Sequence, residues 1–314
     1  MKTNLTSLTV WLVYSLWLLP ACSTSAQELQ SPKYSTGQRT FSSAKRAAGA
    51  LFEAAKANDQ AMLQVILGPE AKDLISSGDR VADENNRLSF VKKYSQRHAL
   101  SAKSKDTEEL QIGNDSWPFP IPIRKDDGRW RFDSAAGREE ILARRIGRNE
   151  LDTIRSCRAF VEAQREYAQK SWDGESPGVY AAKLVSDPGK KNGLYWEVRE
   201  GEPPSPLGPM MADANAEGYG QSGGKRPFHG YFYRLLTAQG ANAPGGAKNY
   251  LEDGKMKHGF ALVAFPAEYR VSGIMTFIVS HEGQVYQRDL GEKTIQAAYQ
   301  LREYNPDKSW AVVH

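Results

Sequence analysis

The stretch GFALVAF at residues 259–265 is a continuous apolar run, and a second run, IMTFIV, follows it at residues 274–279. Short apolar runs between turn residues are typical of strands that lie inside a folded protein. An alternating segment at 230–236 precedes this pair, and a further strand is predicted over 285–290, after a turn of Glu and Gly. These four segments predict an antiparallel sheet, and a short helix over about 291–302 closes the chain.

A long helix is predicted before this sheet. Residues 136–170 are expected to be mostly helical, because apolar side chains recur at helical spacing in their second half. These side chains are Leu151, Ile154, Cys157, Val161 and Ala168. Between the helix and the sheet, residues 201–227 are dense in Gly and Pro, which predicts a long loop that is either functional or mobile. The helix and the four-stranded sheet form a second α+β unit, which we place at residues 151–314.

The first unit, residues 41–150, shows helices first and strands afterwards. Four helices are predicted, over about 41–57, 59–67, 70–76 and 79–97. In the fourth helix, the apolar positions are Val81, Leu88, Phe90, Val91 and Tyr94. Strand-like alternation follows, with a proline-rich segment and an Asp-Asp-Gly hairpin turn. Helices over a curved antiparallel sheet resemble the cone-shaped α+β fold typified by nuclear transport factor two. Another small α+β domain is the alternative.

The N-terminus is predicted to be an export signal over residues 1–26. Its apolar core, Leu8–Leu19, has 12 residues, whereas a bilayer-spanning helix needs about 20. Cleavage is expected either after Ala26, which ends a small-x-small pattern, or before Cys22, where LPAC resembles a bacterial lipobox. The polar residues 27–40 are predicted to form a flexible tether.

The location of the protein follows from this signal. Acylation of Cys22 would tether the chain by a lipid anchor, with no transmembrane helix in the mature protein. We therefore predict a bacterial exported protein, either lipid-anchored in the outer membrane or free in the periplasm or outside the cell. The other cysteine, Cys157, is predicted to be buried on a helix as a small apolar residue.

Composition and motifs narrow the function classes. The chain of 314 residues has 41 Lys and Arg against 37 Asp and Glu, a formal net charge of +4 that is scattered along the sequence. This charge is too low and too dispersed to indicate a nucleic-acid partner. The five His residues include no His-x-x-x-His pair, and the sequence contains no P-loop. No catalytic residue, cofactor site or metal site is therefore predicted.

The favoured function is a non-enzymatic binding or structural module of the cell envelope, with an envelope protein as its partner. Its candidate recognition surfaces are the Gly/Pro-rich segment 201–227 and the segment Ala243–Ala247, where glycine permits close backbone approach. Solvated connectors are the alternative for both segments. His229 and His258 flank strands at turn-like positions, and a structural role is the simpler interpretation for each.

The alternative function is a small-molecule hydrolase with a pocket in the first unit. Its candidate residues lie in and after the proline-rich segment, and they are Trp117, Trp130, Phe132 and Asp133. A carboxylate beside an apolar pocket can act as a general acid or base. The aromatic side chains fit core packing equally well, and acidic residues after Asp133 fit the start of a helix.

Several long runs together resemble one protein family. They are residues 230–240, 243–247, 259–269 and 272–279, with WPFPIP at 117–122 in the first unit. Over about residues 40–308 the chain resembles a bacterial family of uncharacterised exported proteins, the domain of unknown function 2950. This resemblance implies a cell-envelope protein and supplies no catalytic residues. The helix, Gly-rich loop and strands of the C-terminal half are also similar to the soluble heads of type IV pilins and pseudopilins, which implies a pilin-head-like fold there.

Overall fold

The first unit begins with helices whose starts are capped by short polar side chains. A computed structural model describes residues 37–174, 176–219 and 226–314. Its first helices are α1 (Ala44–Lys56), α2 (Gln60–Leu67), α3 (Lys72–Ile75) and α4 (Arg80–Gln96). Ser43, Asp59 and Asp79 accept hydrogen bonds from backbone N–H groups in the first turns of α1, α2 and α4. The four predicted helices are confirmed.

The export signal predicted at residues 1–26, with Cys22, lies outside the described residues, as does most of the tether predicted at 27–40. The end of this predicted tether is held in the fold, because the Gln38 side-chain amide donates to the carbonyls of Ile66 at 3.0 Å and Phe132 at 2.8 Å. The first core begins at Phe41. The backbone of this residue exchanges hydrogen bonds of 2.7 and 2.8 Å with that of Trp130. In the part of the chain that the structure describes, no helix has the length and apolar character that crossing a bilayer requires.

An antiparallel sheet follows α4. Its strands are β1 (His98–Ser104), β2 (Thr107–Ile112), β3 (Trp117–Pro118), β4 (Ile123–Asp126) and β5 (Arg129–Phe132). The order is β1-β2-β4-β5, and β3 and β4 pair with opposite ends of β2. Asp127 and Gly128 both have positive φ and form the predicted hairpin turn between β4 and β5. The first core lies between this sheet and the helices, and it includes Leu51, Ile66, Leu110, Ile123 and Phe132.

The apolar positions of α4 are only partly buried, although Phe90 and Val91 pack against the first core. Leu88 is 59% exposed, and of the five predicted apolar positions only Tyr94 is buried. Asp83 and Arg87 are buried on the inward face instead. Both side chains can lie there because Ser77 and Asn58 supply hydrogen-bond partners for them.

A single helix, α5 (Ser134–Ala168), contributes to both halves of the fold. It has 35 residues, and Asp133 caps its first turn. Ile141, in its first half, packs against the first core, whereas Cys157 and Phe160, in its second half, belong to a second core. The predicted boundary at residue 150 falls inside this helix. The thiol of Cys157 is buried, as predicted.

Helix α6 (Gly208–Ala216) lies within the segment predicted as a loop, because Pro209 at its first turn is compatible with a helix start.

The second sheet is antiparallel. Its strands are β6 (Tyr231–Leu236), β11 (Ala261–Pro266), β12 (Met275–Ser280), β13 (Val285–Asp289) and β14 (Ala311–Val312). Their order in the sheet is β14-β13-β12-β11-β6. Two ribbons lie between β6 and β11: β7 (Ala238–Gln239) with β8 (Lys248–Asn249), and β9 (Leu251–Glu252) with β10 (Lys255–Met256).

The four strands predicted for the C-terminal half are confirmed, and so is the closing helix, α7 (Thr294–Gln300). The sheet has five strands rather than four, because β14 adds a two-residue edge strand. Two residues are too few for alternation to show in a sequence. All six residues of β11 are buried, as expected for the central apolar run. The fold is therefore α+β in both halves.

Candidate functional site

The first unit encloses a cavity of about 380 Å³. Its apolar wall comes from the helices and the sheet that form the first core, and it includes Leu51, Leu63, Leu67, Ile75, Ile112 and Ile121. Small-molecule sites usually have about 300–1,000 Å³, a mainly apolar wall and a few placed polar groups. The cavity meets the size and wall criteria, and its polar groups come from two helices.

Helix α4 contributes one stripe of the wall. Asp83, Arg87, Phe90 and Lys93 all line the cavity. Their spacing of four, three and three residues places them on one face of a helix. Three of the four side chains are charged, so this stripe carries charge into a cavity whose floor is aliphatic.

Helix α5 contributes a second stripe, also on one face of its helix. Ile141, Arg144, Arg145 and Arg148 line the cavity, at intervals of three, one and three residues. Arg145 is buried, whereas Arg144 and Arg148 are exposed. The wall therefore changes from buried aliphatic side chains at the core to cationic side chains that reach solvent.

Two buried charged groups of the wall are held by fixed partners. The carboxylate of Asp83 accepts hydrogen bonds from the backbone N–H of Ser77 at 2.9 Å and from its hydroxyl at 2.7 Å. Burial raises the pKa of Asp83 despite these bonds. Arg145 donates to the carbonyls of Asp73 and Leu74 at 2.6 and 2.8 Å, and burial lowers the pKa of its guanidinium. These bonds fix the start of α4 and the middle of α5 around the cavity.

An aromatic side chain lies between cations at the outer part of the cavity. Lys93 Nζ lies 5.7 Å and the Arg144 guanidinium carbon 5.6 Å from the centre of the Trp117 ring. Lys93 also forms an ion pair of 3.0 Å with Asp115, and Arg144 pairs with Glu140. Trp117 is thus half-buried beside two cations that already have carboxylate partners.

Of the four residues predicted to surround a pocket, the structure places Trp117 in the cavity wall and the other three elsewhere. Trp130 pairs with Phe41 at the start of the described chain, and Phe132 is fully buried in the first core. The Asp133 carboxylate caps α5 and pairs with Arg124 at 3.0 Å. Strand alternation and the cap explain this separation, because they direct these side chains to different parts of the unit.

The cationic stripes on α4 and α5 are functional candidates that sequence reasoning missed. The Arg- and Glu-rich start of α5 had the pattern of a solvated helix face. A signal was nevertheless present, because Ile141, Arg144, Arg145 and Arg148 share a helix face that a core-facing helix would fill with apolar residues. On α4, Arg87 likewise shares a helix face with the apolar side chain of Phe90.

His229 and His258 lie close to carboxylate side chains. His229, at a turn with φ of +50°, has ring nitrogens 3.7 Å from Asp152 and 3.8 Å from Glu217. A ring nitrogen of His258 lies 2.8 Å from the Glu252 carboxylate, to which Lys257 also donates a hydrogen bond. The hydrogen bonds from Lys257 and His258 hold the pKa of the Glu252 carboxyl below its usual range. No group of three His, Cys, Asp or Glu side chains within the described ranges could hold a metal ion.

The segment Ala243–Ala247 is held by one buried amide. Gln239 donates to the carbonyls of Pro244 at 2.8 Å and Gly246 at 2.7 Å, and its amide oxygen accepts from the Tyr250 hydroxyl at 2.8 Å. This segment is thus part of the packed structure of the second unit. The recognition role predicted for it stays a prediction.

One family matches nearly the whole described chain. The family described as protein of unknown function (DUF2950) matches residues 38–313, which include both cores, both cationic stripes and the cavity wall. No curated protein and no solved structure matches the chain, so the likenesses to pilin heads and to nuclear transport factor two stay predictions. Because the match extends over both halves of the fold, the chain belongs to the DUF2950 family.

Proposed function

We propose that this protein is a non-enzymatic binding module of the bacterial cell envelope, and that its first unit holds a small, mainly apolar molecule. The observation that carries the proposal is the cavity of about 380 Å³, whose wall is aliphatic at the core and charged toward solvent. An aliphatic wall favours apolar ligands because their transfer from water is worth about 25 cal/mol per Å². The charged stripes provide polar groups that can orient such a ligand.

The hydrolase alternative receives no comparable support. Its carboxylate, that of Asp133, lies outside the cavity wall. This carboxylate already accepts hydrogen bonds from the backbone N–H of Ala136 and from Arg124. The carboxylate in the wall, that of Asp83, already accepts two hydrogen bonds from Ser77. A binding role uses the cavity as it stands and requires neither carboxylate to be released.

A neutral phenyl-naphthylamine dye tests the binding role, since such a dye fluoresces strongly only in apolar surroundings. The full chain is expected to bind the dye saturably. Ala55→Leu, which places a larger side chain in the cavity wall, is expected to weaken binding about tenfold, and Leu63→Phe is a second filling variant. Ala143→Leu on the exposed face of α5 is the matched control. Equal binding by all four proteins would contradict the proposal, because the dye would then bind elsewhere.

The location is part of the proposal and rests on the sequence of residues 1–26. We propose export, with Cys22 as the candidate lipid attachment site. Cell fractionation is expected to recover the protein in the envelope or the medium, and a palmitate analogue is expected to label the wild type but not Cys22→Ser. Equal labelling of the wild type and Cys22→Ser would contradict a lipid anchor at Cys22. Recovery of the uncut chain in the cytoplasm would contradict export itself.

A further inference from the structure

The charge in the cavity wall is strongly one-sided. Among the residues that the structure describes, five cationic side chains line the cavity: Arg87, Lys93, Arg144, Arg145 and Arg148. Within the same described ranges, the carboxylate of Asp83 is the only one in the wall. Cations around a low-dielectric cavity attract an anion more strongly than the same cations would in water. The wall therefore selects for negative charge in whatever occupies the cavity.

Two of the five cations keep hydrogen-bonding capacity. Arg87 is 9% exposed, and it donates through Nε to Asn58 and through Nη1 to the carbonyl of Ile75. Its Nη2 is buried and has no hydrogen-bond partner in the part of the chain that the structure describes. Arg148 is exposed, and among the described residues it forms neither an ion pair nor a hydrogen bond.

An unmet buried donor on a guanidinium has a cost. Leaving such a group unsatisfied destabilises the fold, and more so when the group is charged. An anionic oxygen in the cavity, which the Arg87 side chain lines, would supply a partner for this donor. A guanidinium also suits the two oxygens of a carboxylate or phosphate, because its N–H groups form a planar fork.

The other cations are less suited to hold a headgroup directly. Both Nη atoms of Arg145 donate to carbonyls of α3, and Lys93 and Arg144 have carboxylate partners. Their positive charge still contributes to the potential. Arg87 and Arg148 are accordingly the pair that a ligand headgroup would engage.

The size of the cavity limits the rest of the ligand. About 380 Å³ is near the lower end of the range for small-molecule sites, which fits a single short chain and not a lipid with two long chains. Aliphatic side chains such as Leu63 and Ile121 line the inner part, away from the exposed cations. An occupant that matches both parts has an apolar chain and one charged end.

We propose that the cavity binds a single-chain amphiphile with an anionic headgroup, of the fatty-acid class, and that Arg87 and Arg148 bind this headgroup. This inference rests on the proposed binding function and names its ligand. The aliphatic chain occupies the inner wall, and the headgroup lies between the stripes of α4 and α5.

Three ligands with the same chain and different ends test the inference by displacement of the neutral dye from the full-length protein. Decanoate, decanol and decylamine are titrated below their aggregation concentrations. Decanoate is expected to displace the dye at a concentration at least tenfold lower than decanol, and decylamine is expected to be the weakest. Arg87→Met and Arg148→Gln are each expected to remove most of the advantage of decanoate while leaving decanol unchanged.

Arg158→Gln is the control for charge, since Arg158 is an exposed arginine of the same helix that does not line the cavity. If the three ligands displace the dye equally, or if the control loses as much decanoate affinity as Arg148→Gln, the anionic ligand is wrong while the binding cavity stands. If Ala55→Leu and Leu63→Phe leave dye affinity unchanged, the binding function of the cavity and its anionic ligand are both wrong. Arg148→Gln keeps the test decisive should Arg87→Met fail to fold, because Arg148 is exposed and forms no hydrogen bond or ion pair with any other described residue.

Discussion

The carboxylate of Asp79 accepts a hydrogen bond of 2.8 Å from the backbone N–H of Gly230, which lies 151 residues further along the chain. The same carboxylate oxygen accepts a hydrogen bond from the Tyr219 hydroxyl at 2.9 Å. The other carboxylate oxygen of Asp79 accepts one from the backbone N–H of Ala82 and so caps α4. Asp79 is 2% exposed, so these bonds are sheltered from water. A cap residue of the first unit thereby fixes the entry to β6 in the second.

We expect Asp79→Asn to lower the free energy of unfolding by about 1–3 kcal/mol for each donor left without an acceptor. The amide can still cap α4 through its oxygen, but its NH₂ group cannot accept from Gly230 and Tyr219. Urea unfolding measures the change. Glu84→Gln, an exposed carboxylate-to-amide change on the same helix, is the control and should alter stability by less than about 0.5 kcal/mol. Equal effects of the two changes would show that the buried bonds contribute nothing.

Two glycines of α5 are expected to respond in opposite directions to alanine. A Cβ at Gly137 would come within 2.5 Å of the Pro120 carbonyl oxygen and 2.9 Å of an Ile121 side-chain carbon. Gly147 is exposed, and a Cβ there would meet nothing within 4 Å. Gly147→Ala should stabilise the protein by up to about 1 kcal/mol through helix propensity. Gly137→Ala should destabilise it by about 1–3 kcal/mol, because the helix must move away from the sheet.

Thermal and urea unfolding of both variants measure these changes. Because the two glycines lie on one helix and receive the same methyl group, helix propensity cancels between them. A stabilised Gly137→Ala would mean that α5 does not pack tightly on the proline-rich segment.

Cys157 is expected to be unreactive in the folded protein. Burial raises the pKa of its thiol to about 12, so almost no thiolate is present at pH 8. In a Cys22→Ser background, an aromatic disulfide reagent should react with no thiol in buffer and with one in denaturant. Rapid reaction of the native protein would contradict the buried position.

The same thiol gives a pH dependence of stability. Its pKa is higher in the folded state than the unfolded reference of 9.0, so the unfolded chain loses this proton first as pH rises. The stabilisation is therefore complete below about pH 9 and is lost toward pH 12. Cys157→Ala should flatten this part of the stability profile, and an unchanged slope would contradict the assignment.

Gln239→Leu is expected to lower stability and to free the segment Ala243–Ala247. The change removes the donor to two carbonyls and the acceptor of the Tyr250 hydroxyl, all in a buried setting. Hydrogen exchange should accelerate in residues 243–250 before other parts of the second unit. Gln296→Leu, at an exposed position on α7, is the control. Uniform exchange changes throughout the unit would indicate a general loss of stability and not a local anchor.

The sequence predicted elements well where one face of an element is buried throughout. The run 259–265 became the fully buried β11, and capping residues such as Asp59 marked helix starts correctly. Prediction failed for the burial of Asp83 and Arg87 on α4, and for α6, where Gly and Pro suggested a loop. Hydrophobic periodicity assumes that inward faces are apolar, and that assumption fails where a helix lines a cavity.

The amino-acid sequence alone determined the α+β class, the order of the longer helices and strands, and the burial of Cys157, because each depends on local periodicity and composition. Only the tertiary structure decided that Trp117 lines a cavity while Trp130 and Phe132 do not, and that Arg87 and Arg148 lie around the same space. Those two arginines are 61 positions apart in the chain, and their meeting depends on how α4 and α5 pack around the first core. Side-chain proximity across such a separation is a property of packing, which no local sequence pattern records.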